Sequence, residues 1–318
     1  MATGTSQPLT VHEMANHVSD CLEAHRTRFS SQMRCPPLFV GIQGPQGSGK
    51  TFLTSHLRSL LSESPYLLSV AVLSIDDLYL PHAGLMALAE THPQNRLLRG
   101  RGQPGTHDIE LGSIILEKLK RINGSEGGPA EVELPVFDKS LFDGEGDRVA
   151  HGKVVRAPID VVVLEGWCVG FYPVSGKVAE QRWKQPVEGL DDFNMPTFIS
   201  LEDVIAVNGQ LKSYVKWWDA LDAFIQIKGP STSPYAMIYQ WRLQQEHNMK
   251  AKNGGRGMTD EQVKVFVDRY IPGYVFFGDG VRKGIQDEKG RGQLPPWHSK
   301  GLVVTIDFER KLLGTSHF

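Results

Sequence analysis

Leu38-Phe39-Val40-Gly41-Ile42-Gln43 runs directly into Gly44-Pro45-Gln46-Gly47-Ser48-Gly49-Lys50-Thr51, and this stretch decides the fold. The first six residues are apolar and rich in β-formers, the signature of a buried strand. The next eight match G-x-x-x-x-G-K-[ST], the P-loop or Walker A pattern. Leu53, Leu57, Leu60 and Leu61 then recur at steps of four, three and one, which places them on one face of a helix. Strand, glycine loop and helix thus stand in the order that a phosphate-binding turn requires. The glycines allow a tight backbone whose N–H groups face phosphate oxygens, and the helix N-terminus adds partial positive charge. In that reading Gly44, Pro45, Gln46, Gly47, Ser48 and Gly49 wrap the phosphates. Lys50 reaches the β- and γ-phosphates, and the Thr51 hydroxyl holds Mg²⁺.

Working outward, strand-like runs recur at Leu68 to Ile75, Val161 to Glu165, Ala223 to Ile227 and Leu302 to Ile306. Helical or longer segments separate them, and a helix is expected over Val11 to Phe29, packed on the outside of the core. Alternating strands and helices predict an α/β fold: a doubly wound, mainly parallel sheet of about five strands. Ligands in such sheets bind beyond the carboxyl ends of the strands, so functional residues should follow each strand. No linker divides the chain. Residues 1–318 are therefore read as a single P-loop domain with a helical extension at 1–35, substrate-side insertions at 80–112 and 124–152, and a lid at 236–260. The first insertion is expected to be mobile. The second contains Val132 to Phe137 as a hairpin or an edge strand. Phe171 to Met195, which contains Trp and Pro, is expected to be irregular.

The strand ends carry the chemistry. Leu73-Ser74-Ile75-Asp76-Asp77-Leu78-Tyr79 places two carboxylates where the second strand stops. Asp76 can accept the proton of an attacking substrate hydroxyl, or position Mg²⁺ through water. Asp77 either caps the following turn or supports Asp76. Asp160 to Trp167 is an apolar strand ending in Glu165, the arrangement that sets a carboxylate beside a metal (Walker B), with Glu in the usual place of Asp. Beyond the fourth strand, Arg242 lies on a helix rich in cations that precedes Gly254-Gly255. It reads as a lid arginine that neutralises charge on a transferred phosphoryl group. Arg99, Arg101 and His107 lie on a glycine-rich loop suited to a small anion, because Arg pairs bidentately with carboxylates. Lys139 can act likewise.

These motifs together resemble the D-glycerate 3-kinase family of plants and fungi, in the uridine kinase, phosphoribulokinase and pantothenate kinase branch of P-loop kinases. The resemblance rests on GPQGSGKT (44–51), LSIDDLY (73–79), RGRGQPGTHD (99–108), LPVFDKSLFDGEGDR (134–148), VVVLEGW (161–167), WRLQQE (241–246) and RYIPGY (269–274). It implies ATP and Mg²⁺ as cofactors, with MgATP on the P-loop. It also implies Asp76 as general base, Thr51, Asp76 and Glu165 on the metal side, and Lys50 and Arg242 on the transferred group. Tyr79, Arg99, Arg101, Thr106, His107, Asp108 and Lys139 become the substrate-side candidates. The implied reaction is phosphorylation of the 3-hydroxyl of D-glycerate. Other acceptors within the same class are a nucleoside or a pantothenate-like compound, and the arginine-rich loop favours a small anion over a nucleoside. A non-catalytic ATP-binding regulatory module is the reading from another class.

Composition bounds the rest. The 318 residues carry a formal net charge of -2 and 40% hydrophobic residues, which suits a globular chain and not a general nucleic-acid binder. No apolar run approaches the roughly 20 residues of a membrane span. Cys21, Cys35 and Cys168 have no metal-binding spacing and read as free thiols. The plant relatives are plastid enzymes, and the first residues here lack transit-peptide character, so a cytoplasmic enzyme of the fungal type is expected. No Asn-Lys-x-Asp guanine-reading segment is present, which disfavours a GTPase. Oligomeric state is not legible.

Overall fold

The computed structural model describes residues 8–318, apart from 33, 125–127, 231, 233, 253 and 290. Parts of the extension at 1–35, the insertion at 124–152 and the lid at 236–260 therefore lie outside the described residues. The chain opens with α1 (Leu9–Arg28), β1 (Leu38–Gln43), α2 (Lys50–Ser62) and β2 (Val70–Ser74). The insertions follow: α3 (His82–Thr91), α4 (Ile109–Lys120), β3 (Glu131–Leu134), β4 (Phe137–Asp138), β5 (Asp147–Arg148) and β6 (Lys153–Arg156). The main sheet resumes with β7 (Val161–Gly166). Four helices come next, α5 (Gly176–Lys184), α6 (Met195–Phe198), α7 (Leu201–Leu211) and α8 (Val215–Trp218), and then β8 (Ala223–Lys228). The last part holds α9 (Ala236–Lys252), α10 (Asp260–Asp268), α11 (Ile271–Phe277), α12 (Gly280–Lys283), β9 (Ile285–Gln286), β10 (Gly292–Gln293), β11 (Gly301–Ile306) and β12 (Leu312–His317).

Six strands form the main sheet in the order β12-β11-β8-β1-β7-β2. Every pairing among them is parallel except β11 with β12. Side chains alternate across a strand, and here both faces are covered. Val40 and Ile42 of β1, Val161 and Val163 of β7, and Ile225 and Ile227 of β8 pack with α1 and α2. Phe39, Val162, Leu164 and Phe224 point the other way, into a second core with α4, α7, α8 and α11. The expected α/β fold is present, and β1, one of the two central strands, leads into the P-loop.

The structure differs from the sequence reading in several places. The sixth strand, β12, was not expected. It lies at the sheet edge with nearly all its residues exposed, so it shows no apolar run, and its pairing with β11 is what makes it a strand. Leu68 to Ile75 shortens to β2, because Ile75–Leu78 turns into a 3₁₀ helix that Ser74 caps through the Asp76 N–H. Phe171 to Met195 contains α5, started by the Ser175 side chain accepting from the Val178 N–H. The 80–112 segment contains α3 and leads into α4. Val132 falls in a small antiparallel pair, β3 with β6, and Phe137 in another, β4 with β5. The N-terminal helix does pack on the core, burying Val11, Met14, Ala15, Val18 and Leu22. Among the described residues, no helix is long and apolar enough to cross a membrane.

Candidate active site

Four chain segments converge at the carboxyl ends of the parallel strands. The P-loop leaves β1, Asp76 follows β2, Glu165 ends β7, and α9 follows β8. The P-loop has left-handed backbone at Gly47 (φ +75°) and Gly49 (φ +82°), where a side chain would be strained. Space is also closed at Gly47, since a Cβ there would lie 2.5 Å from the Trp241 carbonyl carbon of α9. Ser48 is fully buried, and its hydroxyl donates to the Pro45 carbonyl at 2.7 Å. Gly49 is the N-cap of α2 and has no side chain to satisfy the first N–H groups. That leaves donors and dipole free for an anion. Thr51 is exposed on the first turn of α2. Tyr274 holds the loop from α11: its hydroxyl donates to the Gln46 side chain and accepts the Gln46 N–H at 3.3 Å.

Lys50 and Glu165 form an ion pair, with their side chains only 15% and 5% exposed. Burial this deep makes a buried charge depend on its partner. The apolar strand of Walker B type does therefore bring its carboxylate onto the P-loop lysine.

Asp76 is the centre of a second cluster. Its carboxylate accepts from the Tyr79 hydroxyl at 2.9 Å and pairs with Lys139 at 2.6 Å. Burial pushes its carboxyl up. The charges of Lys139 and Lys50, with the hydrogen bonds from Lys139 and Tyr79, outweigh that and hold it below the usual carboxylate range. Burial, with Asp76 beside it, raises the Tyr79 phenol well above its ordinary value, so it remains a donor. Asp77 accepts the Phe137 N–H at 3.0 Å and so pins β4, the strand next to Lys139. This bracing is its role in the loop; the cap of the turn is Ser74.

His107 stacks on Tyr79, with ring centroids 4.5 Å apart. Burial pushes its pKa down to about 3, against the opposing effect of Asp76, so the ring is neutral. The Tyr214 oxygen accepts the Gly105 N–H at 2.8 Å and lies 2.7 Å from His107 Nδ1. If the Tyr214 hydroxyl donates to Nδ1, the imidazole proton sits on Nε2. Nε2 is buried and has no partner among the described residues. A buried polar nitrogen without a partner is costly, and a ligand is one way to satisfy it.

The remaining substrate-side candidates are engaged with other groups of the protein. Arg99 donates to the Pro93 carbonyl at 2.7 Å. Arg101 donates to the carbonyls of Gly144, at 2.6 Å, and Glu145, which joins the two insertions. Thr106 is fully buried. It donates to the Gln103 carbonyl and accepts the Gly102 N–H, so its one proton is used inside the loop. Asp108 caps α4 through the Leu111 N–H and pairs with Arg148 at 3.1 Å. Arg242 lies on α9 over the P-loop. Its guanidinium pairs with buried Glu246 at 2.7 Å and stacks over Phe266 at 5.0 Å, and does not join Lys50 or Asp76.

Residues that the sequence reading did not single out support this arrangement. Arg269 donates to the carbonyls of Gly100 and Arg101, and Arg148 donates to the Tyr79 carbonyl. Both lie in the quoted motifs RYIPGY and FDGEGDR, which was the available signal. Tyr214 lies outside every quoted motif, and only the fold shows it.

No protein-family model matches the chain. It is 38% identical over 260 residues to the Saccharomyces cerevisiae protein named Probable ATP-dependent kinase TDA10, covering 80% of this chain and 82% of that one. It is 35% identical over 258 residues to the chloroplastic D-glycerate 3-kinase of Arabidopsis thaliana, covering 80% of this chain and 51% of that longer protein. Among solved structures, the D-glycerate 3-kinase of Cryptococcus neoformans var. grubii superposes with a TM-score of 0.85 at 41% identity. That alignment covers 97% of this chain and 99% of the other.

Proposed function

The chain belongs to the D-glycerate 3-kinase family of P-loop kinases, which use ATP, and from that premise we propose that it phosphorylates the 3-hydroxyl of D-glycerate. The products are 3-phosphoglycerate and ADP. The observation that carries this reading is the Asp76–Lys139 pair beside the Lys50–Glu165 pair. A small hydroxy acid needs one group to receive its hydroxyl proton and a cation for its carboxylate, and Asp76 with Lys139 supplies both.

Bound MgATP supplies the γ-phosphoryl group and a divalent charge next to it. The fit is good on the protein side. Among the described residues, no three His, Cys, Asp or Glu side chains form a metal cage. Mg²⁺ in kinases is held by one or two carboxylates together with phosphate oxygens and water. Thr51 and Glu165 are the oxygens that would hold it, with Asp76 reaching it through water. Lys50 exchanges part of its contact with Glu165 for the β- and γ-phosphates. Lys139 turns from Asp76 to the glycerate carboxylate. Losing that charge raises the proton affinity of Asp76 at the moment it has to take the hydroxyl proton. The substrate oxygen attacks the γ-phosphorus, the bond to the β,γ-bridging oxygen breaks, and Asp76 carries the proton. His107 offers Nε2–H to an oxygen of the acceptor. Arg242 leaves Glu246 to neutralise the transferred group as α9 closes, which is the proposed lid role. The whole chain is read as one kinase unit, and its free thiols suit the cytosol.

The test is ADP release from MgATP by the purified protein with D-glycerate, uridine or pantothenate, with Lys50→Ala as control. ADP that depends on D-glycerate and vanishes in Lys50→Ala is the expected result. Turnover with uridine or pantothenate but not with glycerate would overturn the acceptor and leave the kinase standing.

A further inference from the structure

The turn between β11 and β12, Asp307 to Arg310, belongs to no motif, yet it reaches the P-loop. Arg310 Nε donates to the Gly47 carbonyl at 2.8 Å. One terminal nitrogen donates to the Gln244 side chain, and the other to the Trp241 carbonyl at 3.2 Å, both on α9. The contact is returned, because the Trp241 indole N–H donates to the Phe308 carbonyl of the same turn at 2.9 Å. Trp241 is fully buried, so this end of α9 is anchored. The Arg310 Cδ also lies 3.2 Å from where a Cβ on Gly49 would stand.

We propose that Arg310 is a positioning residue for nucleotide binding, tying the outward face of the P-loop to the lid helix α9. A loop that turns N–H groups toward phosphate must turn carbonyls away from it, and those carbonyls need donors from outside. At Gly47 that donor is Arg310. Three acceptors in three directions suit a planar guanidinium with five donors in a fixed fork, and a lysine ammonium cannot span them in the same way. The backbone of Arg310 is left-handed, at φ +65°. Such a conformation in a non-glycine residue costs on the order of 1 kcal/mol or more, and persists where the surroundings over-determine it. Because Gly47 packs against the peptide joining Trp241 to Arg242, one side chain sets both the phosphate loop and the starting position of the proposed lid arginine.

This inference rests on the reading of Gly44 to Thr51 as the nucleotide loop, and the experiment separates the two. ATP binding by calorimetry and steady-state kinetics are measured on wild type, Arg310→Gln, Arg310→Lys, Gln244→Ala and Lys50→Ala, with thermal melting of each nucleotide-free protein. ATP affinity should fall roughly tenfold in both Arg310 variants, since a charge-assisted tie of this kind is worth about that much. Lysine should fail to rescue, Gln244→Ala should lie between, and the acceptor KM should hold. Unchanged ATP affinity in the Arg310 variants, with Lys50→Ala impaired, overturns the Arg310 role alone. Equal losses for ATP and acceptor together with a lowered melting point reduce Arg310 to a structural brace and overturn it as well. Unchanged ATP affinity in Lys50→Ala overturns the nucleotide-loop reading itself.

Discussion

The P-loop side and the proposed acceptor side of this cleft are built differently. The P-loop is one contiguous segment whose geometry follows from left-handed glycines, a buried serine and a helix start without a cap. The acceptor side is assembled from segments far apart in sequence, around residues 76–79, 99–108 and 137–148. Many of its polar side chains hold those segments to one another. A charged motif residue on the proposed acceptor side can therefore be a strut between segments. Loops without strands to pair with must satisfy their backbone groups from side chains.

That contrast can be broken or sharpened by mutation, and the largest effect is expected at Asp76. Asp76→Asn should lower kcat on the order of a thousandfold, the scale of a lost general base, while ATP affinity stays near wild type. Turnover near wild type would sink the base assignment and leave Asp76 as a partner of Lys139 only. Lys139→Ala comes next. Removal of a charge-assisted contact should raise the acceptor KM roughly tenfold or more. Its pH signature carries a definite sign. In the wild type the carboxyl lies below its ordinary value, so Asp76 favours the folded state above the unfolded value of about 3.9, and that contribution is lost as the pH falls further. Losing Lys139 removes the main opposing charge. The acid limb of kcat/KM should then move to higher pH, and an unmoved limb would detach it from Asp76.

The smallest effect is expected at Asp108, which separates struts from contacts. Asp108→Ala removes the α4 cap and an ion pair and should cost about 1 kcal/mol of stability, seen as a melting point lower by a few degrees. The acceptor KM should stay within roughly twofold. A large rise in KM without a change in melting would move Asp108 from the frame to the substrate.

The motif side was the more legible because local rules govern it. A buried strand, three glycines and an amphipathic helix are set by neighbours in sequence, and all appear where the periodicity put them. The ionic partner of Lys50 was less accessible, being 115 residues away, yet chain order alone placed Glu165 opposite the loop. The acceptor side was legible only as a set of candidates. Nothing in Arg-Gly-Arg-Gly tells that Arg101 will donate to the carbonyls of Gly144 and Glu145, or that Thr106 will turn its hydroxyl back onto Gln103. β12 escaped for a related reason: an exposed edge strand has no apolar pattern and takes its identity from the strand it pairs with.

The sequence by itself determined the α/β class, the phosphate loop and the carboxylates at two strand ends. Each of these depends on residues close together in the chain, where backbone sterics and side-chain period act directly. Only the tertiary structure decided which charges meet. It gave Lys50 to Glu165, Lys139 to Asp76 and Arg242 to Glu246. It left a buried histidine with one ring nitrogen unpartnered, and it brought Arg310 from the far edge of the sheet to the P-loop. The physical reason is that a charge or donor buried on folding must find a partner in space, and the fold alone sets which groups are near enough to serve.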